Sequence, residues 1–329
     1  MTKLSVIIPV YGVEKYLPEC LDSLYSQITP ECQIVLVDDG SPDRCGAICD
    51  DYARRYPENT LVIHQENMGQ GGARNNGVER ASGEYVFFVD SDDSVPAGAI
   101  PTLLSAIDKY NTDIIGFAVN LVDEEGKFLS LLKDSFETDT VFDPKKEKRL
   151  ITGQQAPWNR IVRRSILIEN GIAFTLRVWY EDIRTTPKYT VCSDSVVYIE
   201  DSLYNYRLRE GSTMNNSKVD RNIEIIWALD DLIEWFSARG IYEDYKEELE
   251  YLLIDHVFIS ATVRVIRSAG AKHPLVKTFR EYTDKHCGIL RGSRNSYVEN
   301  VLEKNRKLIL KLLCAKLYFA VKLIFKIKK

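Results

Sequence analysis

This sequence lacks CxxC pairs, clusters of histidine and long uncharged hydrophobic runs. Its seven cysteines are odd in number and scattered, which suits reduced thiols better than a framework of disulfides. Cys45 and Cys49 are four residues apart on a predicted helix, and a buried helix face explains that spacing better than a metal site. We therefore expect a cytoplasmic protein without disulfides.

Recognisable targeting and membrane-spanning segments are also missing. The first residues, MTKLSVIIPVYG, begin a strand almost at once and lack the charged and apolar leader of a secretory signal. Towards the other end, lysines interrupt the apolar runs, so that no stretch of about 18 uncharged residues could cross a bilayer as a helix. We expect neither a secretory signal nor a spanning helix.

Charge is unevenly distributed along the chain. The net charge is −5, yet residues 291–329 carry 11 Lys and Arg against 2 Asp and Glu. On a helix, most lysines of this segment fall on about one third of the circumference, with Lys316 as the exception, and apolar side chains fill the rest. We predict that residues 304–329 form a basic amphipathic helix on an anionic membrane surface, which makes the protein peripheral on the inner face of the membrane. A helix packed on the protein body or in a dimer is the alternative.

The first 120 residues alternate short apolar runs with helical patterns. The runs rich in β-branched and aromatic residues are 4–10, 33–39, 60–65, 85–90 and 112–120. Strands that are apolar on both faces indicate a largely parallel sheet, and the spacing of the apolar residues between the first two runs is that of an amphipathic helix. We predict an α/β fold with a mostly parallel central sheet flanked by helices, in which ligands bind at the carboxyl ends of the strands.

The pattern changes after residue 120. Residues 121–149 are polar and predict a solvated hairpin or a mobile loop, and a mixed region follows to about residue 216. Two later segments are helical by period, with Gly240 and Gly270 as the expected helix stops. The sequence therefore predicts a C-terminal helical extension.

Acidic side chains gather at three places in the chain, namely Asp38–Asp39, Asp90–Asp93 and Glu181–Asp182. The first two directly follow predicted parallel strands, whose carboxyl ends meet at one edge of a sheet. Carboxylates brought together repel one another unless a positive charge or water neutralises them. Mg²⁺ or Mn²⁺ would do so, and such an ion typically takes one or two carboxylates plus substrate phosphates. We therefore predict a divalent metal that holds a diphosphate.

A glycine-rich segment, ENMGQGGARNNG at residues 66–77, lies between the first two acidic clusters. We interpret it as a loop in which Gly71 allows a close backbone approach and Arg74 offers donors to a phosphate. It is neither a dinucleotide fingerprint, which would need glycine at position 74, nor a GxxxxGK[ST] loop. Its position between two acidic strand ends makes it a candidate binding segment.

Several segments together carry a resemblance to a known family. They are SVIIPVYGVEKYLPECLDSL, VDDGSPD, ENMGQGGARNNGVERASGEYVFFVDSDD, PWNRIVRRS, WYEDI and YNYRLREGST, in this order. In order and spacing they resemble the family 2 glycosyltransferases, which have the GT-A fold. The resemblance implies a nucleotide-sugar donor, a divalent metal (Mn²⁺ or Mg²⁺) and inversion at the anomeric carbon. It is most specific in the first third of the chain and thins after residue 121.

The resemblance also implies roles for individual residues. Asp92 would be the metal ligand with Asp90 in support, and Asp182 the general base with Glu181 as its substitute. An inverting transfer needs both a base and a metal that neutralises the leaving diphosphate. The residues expected to bind the nucleotide sugar are Pro9, Val10, Tyr11, Glu14, Asp39, Gly71, Arg74, Asp90 and Ser91. Trp158 and Asn159 are expected on the acceptor side, and Arg207, Arg209 and Ser212 on the diphosphate side.

Plainer interpretations exist for these residues. Asp39 could close an Asx-turn, Asp90 and Asp92 could cap a helix, and Asp182 could be a helix N-cap. Arg74 could pair with the acidic clusters without touching a substrate, and a buried tryptophan such as Trp158 needs no ligand to explain it.

The predicted organisation has four parts. Residues 1–120 form the nucleotide-sugar-binding α/β part, residues 121–215 the acceptor-side part of the same GT-A domain, residues 216–290 a helical region and residues 291–329 the basic helix. The QxxRW segment of processive members is missing, so we predict transfer of one hexosyl or N-acetylhexosaminyl unit, from a UDP-sugar, to a lipid-linked or surface-glycan acceptor. A sugar nucleotidyltransferase and a non-catalytic nucleotide-sugar-binding protein are the alternatives. No nucleic acid is expected as a partner, and the oligomeric state is open.

Overall fold

A computed structural model describes residues 2–209 and 218–326 of the chain. The chain divides into two compact units, Met1–Ser212 and Thr213–Lys329. The first contains the sheet and the second is helical.

In the described residues, nine strands form a single sheet in the first unit, in the order β3-β2-β1-β4-β8-β5-β9-β7, with β6 paired to β5. The strands are β1 Leu4–Val10, β2 Cys32–Asp38, β3 Thr60–His64, β4 Tyr85–Phe88, β5 Ile114–Val122, β6 Phe128–Leu132, β7 Val141–Phe142, β8 Arg160–Arg163 and β9 Val196–Arg207. The half made by β3, β2, β1 and β4 is parallel throughout. β8 runs antiparallel to its neighbours β4 and β5, whereas β9 is parallel to β5. Strand β6 forms an antiparallel hairpin with β5 within the polar stretch after residue 120.

Helices cover both faces of this sheet. They are α1 Leu17–Tyr25, α2 Cys45–Arg55, α3 Gly69–Arg80, α4 Ala99–Tyr110, α5 Arg164–Glu169 and α6 Glu181–Cys192. Alternate residues of β1 serve opposite faces: Leu4, Val6 and Ile8 pack with the apolar sides of α1, α2 and α4, whereas Ile7 packs with α3. Each such fully buried aliphatic side chain contributes about 1.5–3 kcal/mol. The predicted α/β fold with apolar strands buried on both sides is therefore confirmed.

The glycine-rich segment differs from its predicted loop conformation, since residues 69–80 form helix α3. Glycine disfavours a helix by about 1 kcal/mol per residue, but here the absence of side chains lets the helix lie close to its neighbours. A Cβ on Gly71 would be 2.5 Å from the carbonyl oxygen of Thr175, and one on Gly77 would overlap the side chain of Ile7. The tertiary contacts, which local sequence does not reveal, override the helix propensity.

The second unit consists of helices in the described residues. They are α7 Glu224–Ala238, α8 Lys246–Leu252, a π-helical segment Leu253–Ala261, α9 Thr262–Ser268, α10 Pro274–His286, α11 Ser296–Asn300, α12 Lys304–Cys314 and α13 Tyr318–Lys326. Gly240 and Gly270 follow α7 and α9 with φ values of +69° and +92°, the left-handed conformation that ends helices. Both predicted helix stops are correct.

The basic segment differs from a single continuous helix. It breaks between α12 and α13, where Lys316 has φ +59°, and Arg280 donates to the carbonyl oxygens of Leu313 (2.8 Å) and Cys314 (3.1 Å) at the end of α12. Leu313 and Val321 are fully buried. The two helices therefore supply part of the core of the helical unit. Among the described residues, no helix is both long and apolar enough to cross a membrane.

Candidate active site

The chain segments that follow β1, β2 and β4 lie side by side, because these strands are parallel neighbours in the sheet. Asp39 donates its backbone N–H to the carbonyl oxygen of Val10 at 2.9 Å, and Val89 donates to that of Ile7 at 3.0 Å. These bonds extend the sheet by one residue and bring Asp39 and Asp90 to the same end of it. The candidate site is built at this end, where α/β sheets bind ligands.

Asp39 is almost completely buried and holds the start of α3 in place. Its Oδ1 accepts hydrogen bonds from the backbone N–H of Met68 and from the side chain of Gln65, both at 2.7 Å. The neighbouring Asp38 instead bonds His64, whose second ring nitrogen reaches Asp50. Asp39 thus connects the end of β2 to the helix that carries Arg74.

Arg74 joins two of the three acidic clusters. Its Nη1 lies 2.8 Å from Oε1 of Glu181 and its Nη2 lies 2.7 Å from Oδ1 of Asp90, while the residue is only 1% exposed. Burial opposes the charge of the guanidinium, but the two carboxylates outweigh burial and hold the pKa of Arg74 above its usual range. The end of β4 and the beginning of α6 are therefore linked through one charged side chain of α3.

Glu181 and Asp182 have different surroundings at the beginning of α6. Glu181 is buried and its Oε1 accepts hydrogen bonds from both Arg74 and Gln70. Asp182 is half-buried, and its Oδ1 accepts the backbone N–H of Ile183 at 2.8 Å. Burial, together with the charge of Glu181, raises the pKa of Asp182 to about 7. Glu181 is thus held by Arg74, whereas Asp182 has a pKa close to neutral pH.

Each carboxylate of the Asp90–Asp93 cluster has its own protein partner. Asp90 bonds Arg74, Asp92 bonds Arg209, and Asp93 accepts hydrogen bonds from Tyr204 Oη (2.6 Å) and the backbone N–H of Arg207 (2.7 Å). Asp90 and Asp92 thus each have a guanidinium partner, whereas the partners of Asp93 are uncharged, and burial together with repulsion from Asp92 and Asp90 raises the pKa of Asp93. Within the described residues, no three histidine, cysteine or acidic side chains converge as a ready-made metal site.

Arg207 and Arg209, predicted together on the diphosphate side, differ in their environment. Arg207 is buried and donates to the carbonyl oxygens of Asp92 (3.2 Å) and Glu124 (2.6 Å) and to the carboxylate of Glu19. It stabilises the loop rather than offering a free donor. Arg209 is partly exposed. Within the part of the chain that the structure describes, its hydrogen-bond partner is Asp92. Ser212, predicted beside them, lies outside the described residues.

Trp158 belongs to an aromatic stack. Its ring lies 5.1 Å from that of Tyr204 and 5.0 Å from that of Tyr206, nearly parallel to both. Asn159, in contrast, is buried, and its Oδ1 accepts a hydrogen bond from Arg160 at 2.8 Å. Of the two residues predicted on the acceptor side, Trp158 keeps partial exposure and Asn159 has a structural role.

The segment after β1 contains the other predicted donor-binding residues. Pro9 and Val10 are buried at the end of β1, whereas Tyr11 is half exposed. Glu14 accepts the backbone N–H of Arg44 at 2.9 Å, next to the start of α2. Gly71 and Ser91 are buried. In the sequence, Gly71 lies shortly before Arg74 and Ser91 directly follows Asp90. The exposed ring of Tyr11 thus follows β1 at the same end of the sheet as Asp39 and Asp90.

Sequence reasoning missed Gln70 and Tyr204. Gln70 precedes Arg74 by four residues and shares its bond to Glu181. The i, i+4 spacing would have pointed to it, had the segment been recognised as a helix. Tyr204 bonds Asp93 and accepts the backbone N–H of Asp90 at 3.1 Å, and nothing in YNYR distinguishes it from its neighbour Tyr206.

Known proteins resemble this chain over much of its length. The model of the glycosyl transferase family 2 matches residues 5–171. The chain is 35% identical over 219 residues to the glycosyltransferase GlyA of Streptococcus pneumoniae, which covers 64% of this chain and 31% of GlyA. It is 32% identical over 264 residues to the uncharacterized glycosyltransferase YibD of Escherichia coli, or 76% of each chain. The chain thus spans about a third of GlyA but most of YibD.

A solved structure shows the same fold. The crystal structure of residues 1–349 of TarS from Staphylococcus aureus has a TM-score of 0.68 and 21% identity, and covers 100% of this chain and 92% of that one. A second TarS structure contains UDP-GlcNAc, and TarS is a poly(ribitol-phosphate) β-N-acetylglucosaminyltransferase. The fold is therefore GT-A, and a match over half of the sequence excludes the nucleotidyltransferase alternative. The sheet, the acidic segments at its end and these relatives lead to the same conclusion. The chain belongs to the family 2 glycosyltransferases.

Proposed function

We propose that this protein transfers one sugar, with inversion, from a UDP-sugar to a lipid-linked or surface-glycan acceptor. The observation that carries the proposal is the buried bridge of Arg74, which bonds Asp90 and Glu181 at 2.7 and 2.8 Å. Arg74 thereby links the segment proposed to bind the donor, which contains Asp90, to the segment proposed to supply the base, which begins with Glu181. An inverting displacement requires carboxylates in two separate roles, one to hold the metal at the leaving diphosphate and one to act as the general base.

The proposed donor side is the end of the sheet around Asp39, Asp90 and Asp92. The side chains of Asp90 and Asp92 are each about a quarter exposed, so both can be reached by a ligand. One or two carboxylates plus phosphate oxygens make a usual Mg²⁺ or Mn²⁺ site, and these residues fit it. An ion held by Asp92, with Asp90 in support, would neutralise the charge of the leaving diphosphate. TarS, which contains UDP-GlcNAc in its structure, supports the choice of a uridine nucleotide and an N-acetylhexosamine.

The proposed acid–base step belongs to Asp182. As the acceptor hydroxyl attacks the anomeric carbon, Asp182 takes its proton, the bond from that carbon to the diphosphate breaks, and the nucleoside diphosphate leaves on the opposite face. A base works best when its pKa lies near the working pH, and the pKa of Asp182 is raised to about 7 by burial and by Glu181. Glu181 is a poorer candidate, because Arg74 and Gln70 already occupy its oxygen.

The proposed membrane contact lies on α12 and α13 and the turn between them. Leu317 and Phe319 are 53% and 74% exposed, and Leu308 and Leu323 are exposed as well. Lys304, Lys311 and Lys316 are exposed on the same two helices and turn. Apolar side chains beside basic ones suit the headgroup region of an anionic bilayer, where a lipid-linked acceptor would be found. The contact is thus made by exposed side chains of a packed helical unit rather than by a free helix.

The test of the proposed transfer uses the full chain with UDP-, GDP-, dTDP- and CMP-linked sugars, with and without Mn²⁺. We expect a UDP-sugar with Mn²⁺ to raise the thermal midpoint, since a ligand at 100 times its Kd stabilises by about 2.7 kcal/mol. Asp182→Asn should keep this shift but lose transfer by on the order of 10²-fold or more. Asp194→Asn, a change at an exposed carboxylate (80%), serves as the control. Full transfer by Asp182→Asn would exclude the base, and a protein that shows neither shift nor transfer with any donor would contradict the proposal as a whole.

A further inference from the structure

The carboxylate proposed to hold the metal is already paired with an arginine. Asp92 Oδ2 accepts hydrogen bonds from Nε of Arg209 at 2.6 Å and lies 2.5 Å from its Nη2. Two N–H groups of one planar guanidinium therefore converge on a single oxygen. Such charge-assisted pairs are stronger than neutral hydrogen bonds, so a metal ion at that oxygen would compete with Arg209.

This pair differs in burial from the other ion pair of the site. The side chains of Arg209 and Asp92 are 22% and 25% exposed, whereas that of Arg74 is 2% exposed. The guanidinium of Arg209 also lies 5.3 Å from the centre of the Tyr16 ring, a contact worth only about 0.5–1 kcal/mol at an exposed site. Arg74 is itself buried and is fixed by two carboxylates, whereas Arg209 is partly exposed and has one, so Arg209 can leave its partner at smaller cost.

We propose that Arg209 is a removable counter-ion of Asp92. In the free enzyme Arg209 neutralises Asp92, and when a nucleoside diphosphate with its metal arrives, Arg209 gives up the carboxylate and binds the diphosphate oxygens. This inference rests on the metal role proposed for Asp92. It explains how Asp92 remains compatible with its acidic neighbours before substrate binds, and it makes the metal and the nucleotide bind cooperatively.

Cooperative binding has a quantitative consequence. If UDP increases the affinity for Mn²⁺ by some factor, Mn²⁺ must increase the affinity for UDP by the same factor. Removing the charge of Arg209 frees Asp92 in the absence of nucleotide and also removes a ligand of the diphosphate. Both effects reduce the coupling between Mn²⁺ and UDP. We expect Arg209→Gln to bind Mn²⁺ alone about two- to fivefold more tightly than the unaltered protein, which is the scale of one partly exposed ion pair.

The experiment measures Mn²⁺ binding to the full chain by the electron paramagnetic resonance signal of free Mn²⁺, with and without UDP. The variants are Arg209→Gln, Arg209→Lys and Asp92→Asn, and circular dichroism checks that each is folded. Arg149→Gln is the matched control, because Arg149 also forms a partly exposed pair, with Glu147 at 2.9 Å, and is not among the residues proposed to bind the donor or the metal. We expect tighter binding of Mn²⁺ alone and a smaller effect of UDP for Arg209→Gln, an intermediate result for Arg209→Lys and no change for the control.

Two different failures can be told apart. If Asp92→Asn abolishes Mn²⁺ binding but Arg209→Gln binds Mn²⁺ alone no more tightly than the unaltered protein, Arg209 is not a competing cation and this inference is overturned. If Asp92→Asn binds Mn²⁺ with and without UDP as the unaltered protein does, or if none of the proteins binds it, the metal role of Asp92 is wrong. In that case the inference is overturned along with that part of the proposed function.

Discussion

Arg74 is the residue on which the candidate site depends most. It is buried, and it neutralises Asp90 and Glu181, two carboxylates from distant parts of the sequence. Removing one partner of a buried ion pair typically costs 3–5 kcal/mol, because the remaining charge loses its compensation. Lysine would not replace it, since its charge lies on one nitrogen, whereas Arg74 reaches the two carboxylates with two separate nitrogens of a planar group.

We therefore predict a large loss of stability for Arg74→Met. The thermal midpoint of the first unit should fall by on the order of 10 °C, as measured by circular dichroism. Arg54→Met removes an exposed pair with Asp51, which is worth less than about 1 kcal/mol, and should leave the midpoint nearly unchanged. Equal midpoints for the two variants would show that the Arg74 bridge does not stabilise the fold.

The pKa of Asp182 predicts how activity depends on pH. Its carboxylate must be ionised to accept a proton, and its pKa is raised to about 7 by burial and by Glu181. The kcat/KM for transfer should therefore fall about tenfold for each unit of pH below 7. In Glu181→Gln the neighbouring negative charge is gone, so the pKa of Asp182 falls and the decline should begin at a lower pH. A profile that stays flat down to pH 5 would be inconsistent with Asp182 as the base.

Reasoning from the sequence located the acidic residues but not their partners. The positions of Asp90, Asp92 and Glu181 follow from short motifs, whereas the pairing of each with a particular arginine depends on distances between segments far apart in the chain. Arg207 and Arg209 illustrate the difference. They are two residues apart at the end of β9, yet Arg207 is buried and bonds two backbone carbonyls as well as Glu19, whereas Arg209 is partly exposed and bonds Asp92.

At the scale of elements, strands were easier to predict than the helix α3. The five apolar runs correspond closely to β1, β2, β3, β4 and β5, because burial on both faces leaves a clear composition. Helix α3 contains four glycines in twelve residues, which is unfavourable in an isolated helix. Its conformation is explained by its approach to β1 and to Thr175, which only the folded chain contains.

Gly77→Ala tests that explanation. Alanine normally stabilises a helix by about 1 kcal/mol relative to glycine, but here the new Cβ would overlap the side chain of Ile7. We predict a net destabilisation in urea unfolding. Ile7→Ala alone should lower the free energy of unfolding by about 2–5 kcal/mol. The double variant should lose less stability than the two single variants lose in total, because the smaller side chain at position 7 leaves room for the new Cβ. A stabilised Gly77→Ala, or strictly additive costs, would mean that the helix is not closely packed at Gly77.

At the scale of the whole molecule, composition correctly distinguished a sheet-containing N-terminal part from a helical C-terminal part, but the form of the basic segment was not foreseen. Periodicity treats residues 304–329 as one amphipathic helix. Periodicity does not reveal that Leu313 and Val321 are buried in the core of the helical unit, or that the chain turns at Lys316.

Membrane binding can therefore be tested without deleting the segment. Replacing both Leu317 and Phe319 by serine removes exposed apolar side chains, so stability should change little, whereas flotation with liposomes containing anionic phosphatidylglycerol should fall several-fold. Trp227→Ser changes a side chain of α7 that is 52% exposed and should not affect flotation. Unchanged flotation of the double variant would contradict membrane contact at this turn, and equal flotation on neutral liposomes would contradict a role for the lysines.

The bridge made by Arg74 also affects where a shortened form of this protein can end. The match to the family ends at residue 171, ten residues before Glu181 and well before β9, which lies inside the sheet between β5 and β7. A fragment ending at residue 171 would retain Arg74 and Asp90 but lose the third member of the bridge, and would leave one side of β5 without its neighbouring strand. The segment matched by the family model is therefore shorter than the part of the chain that builds the sheet, and we expect that a truncated catalytic fragment must extend at least through Arg209.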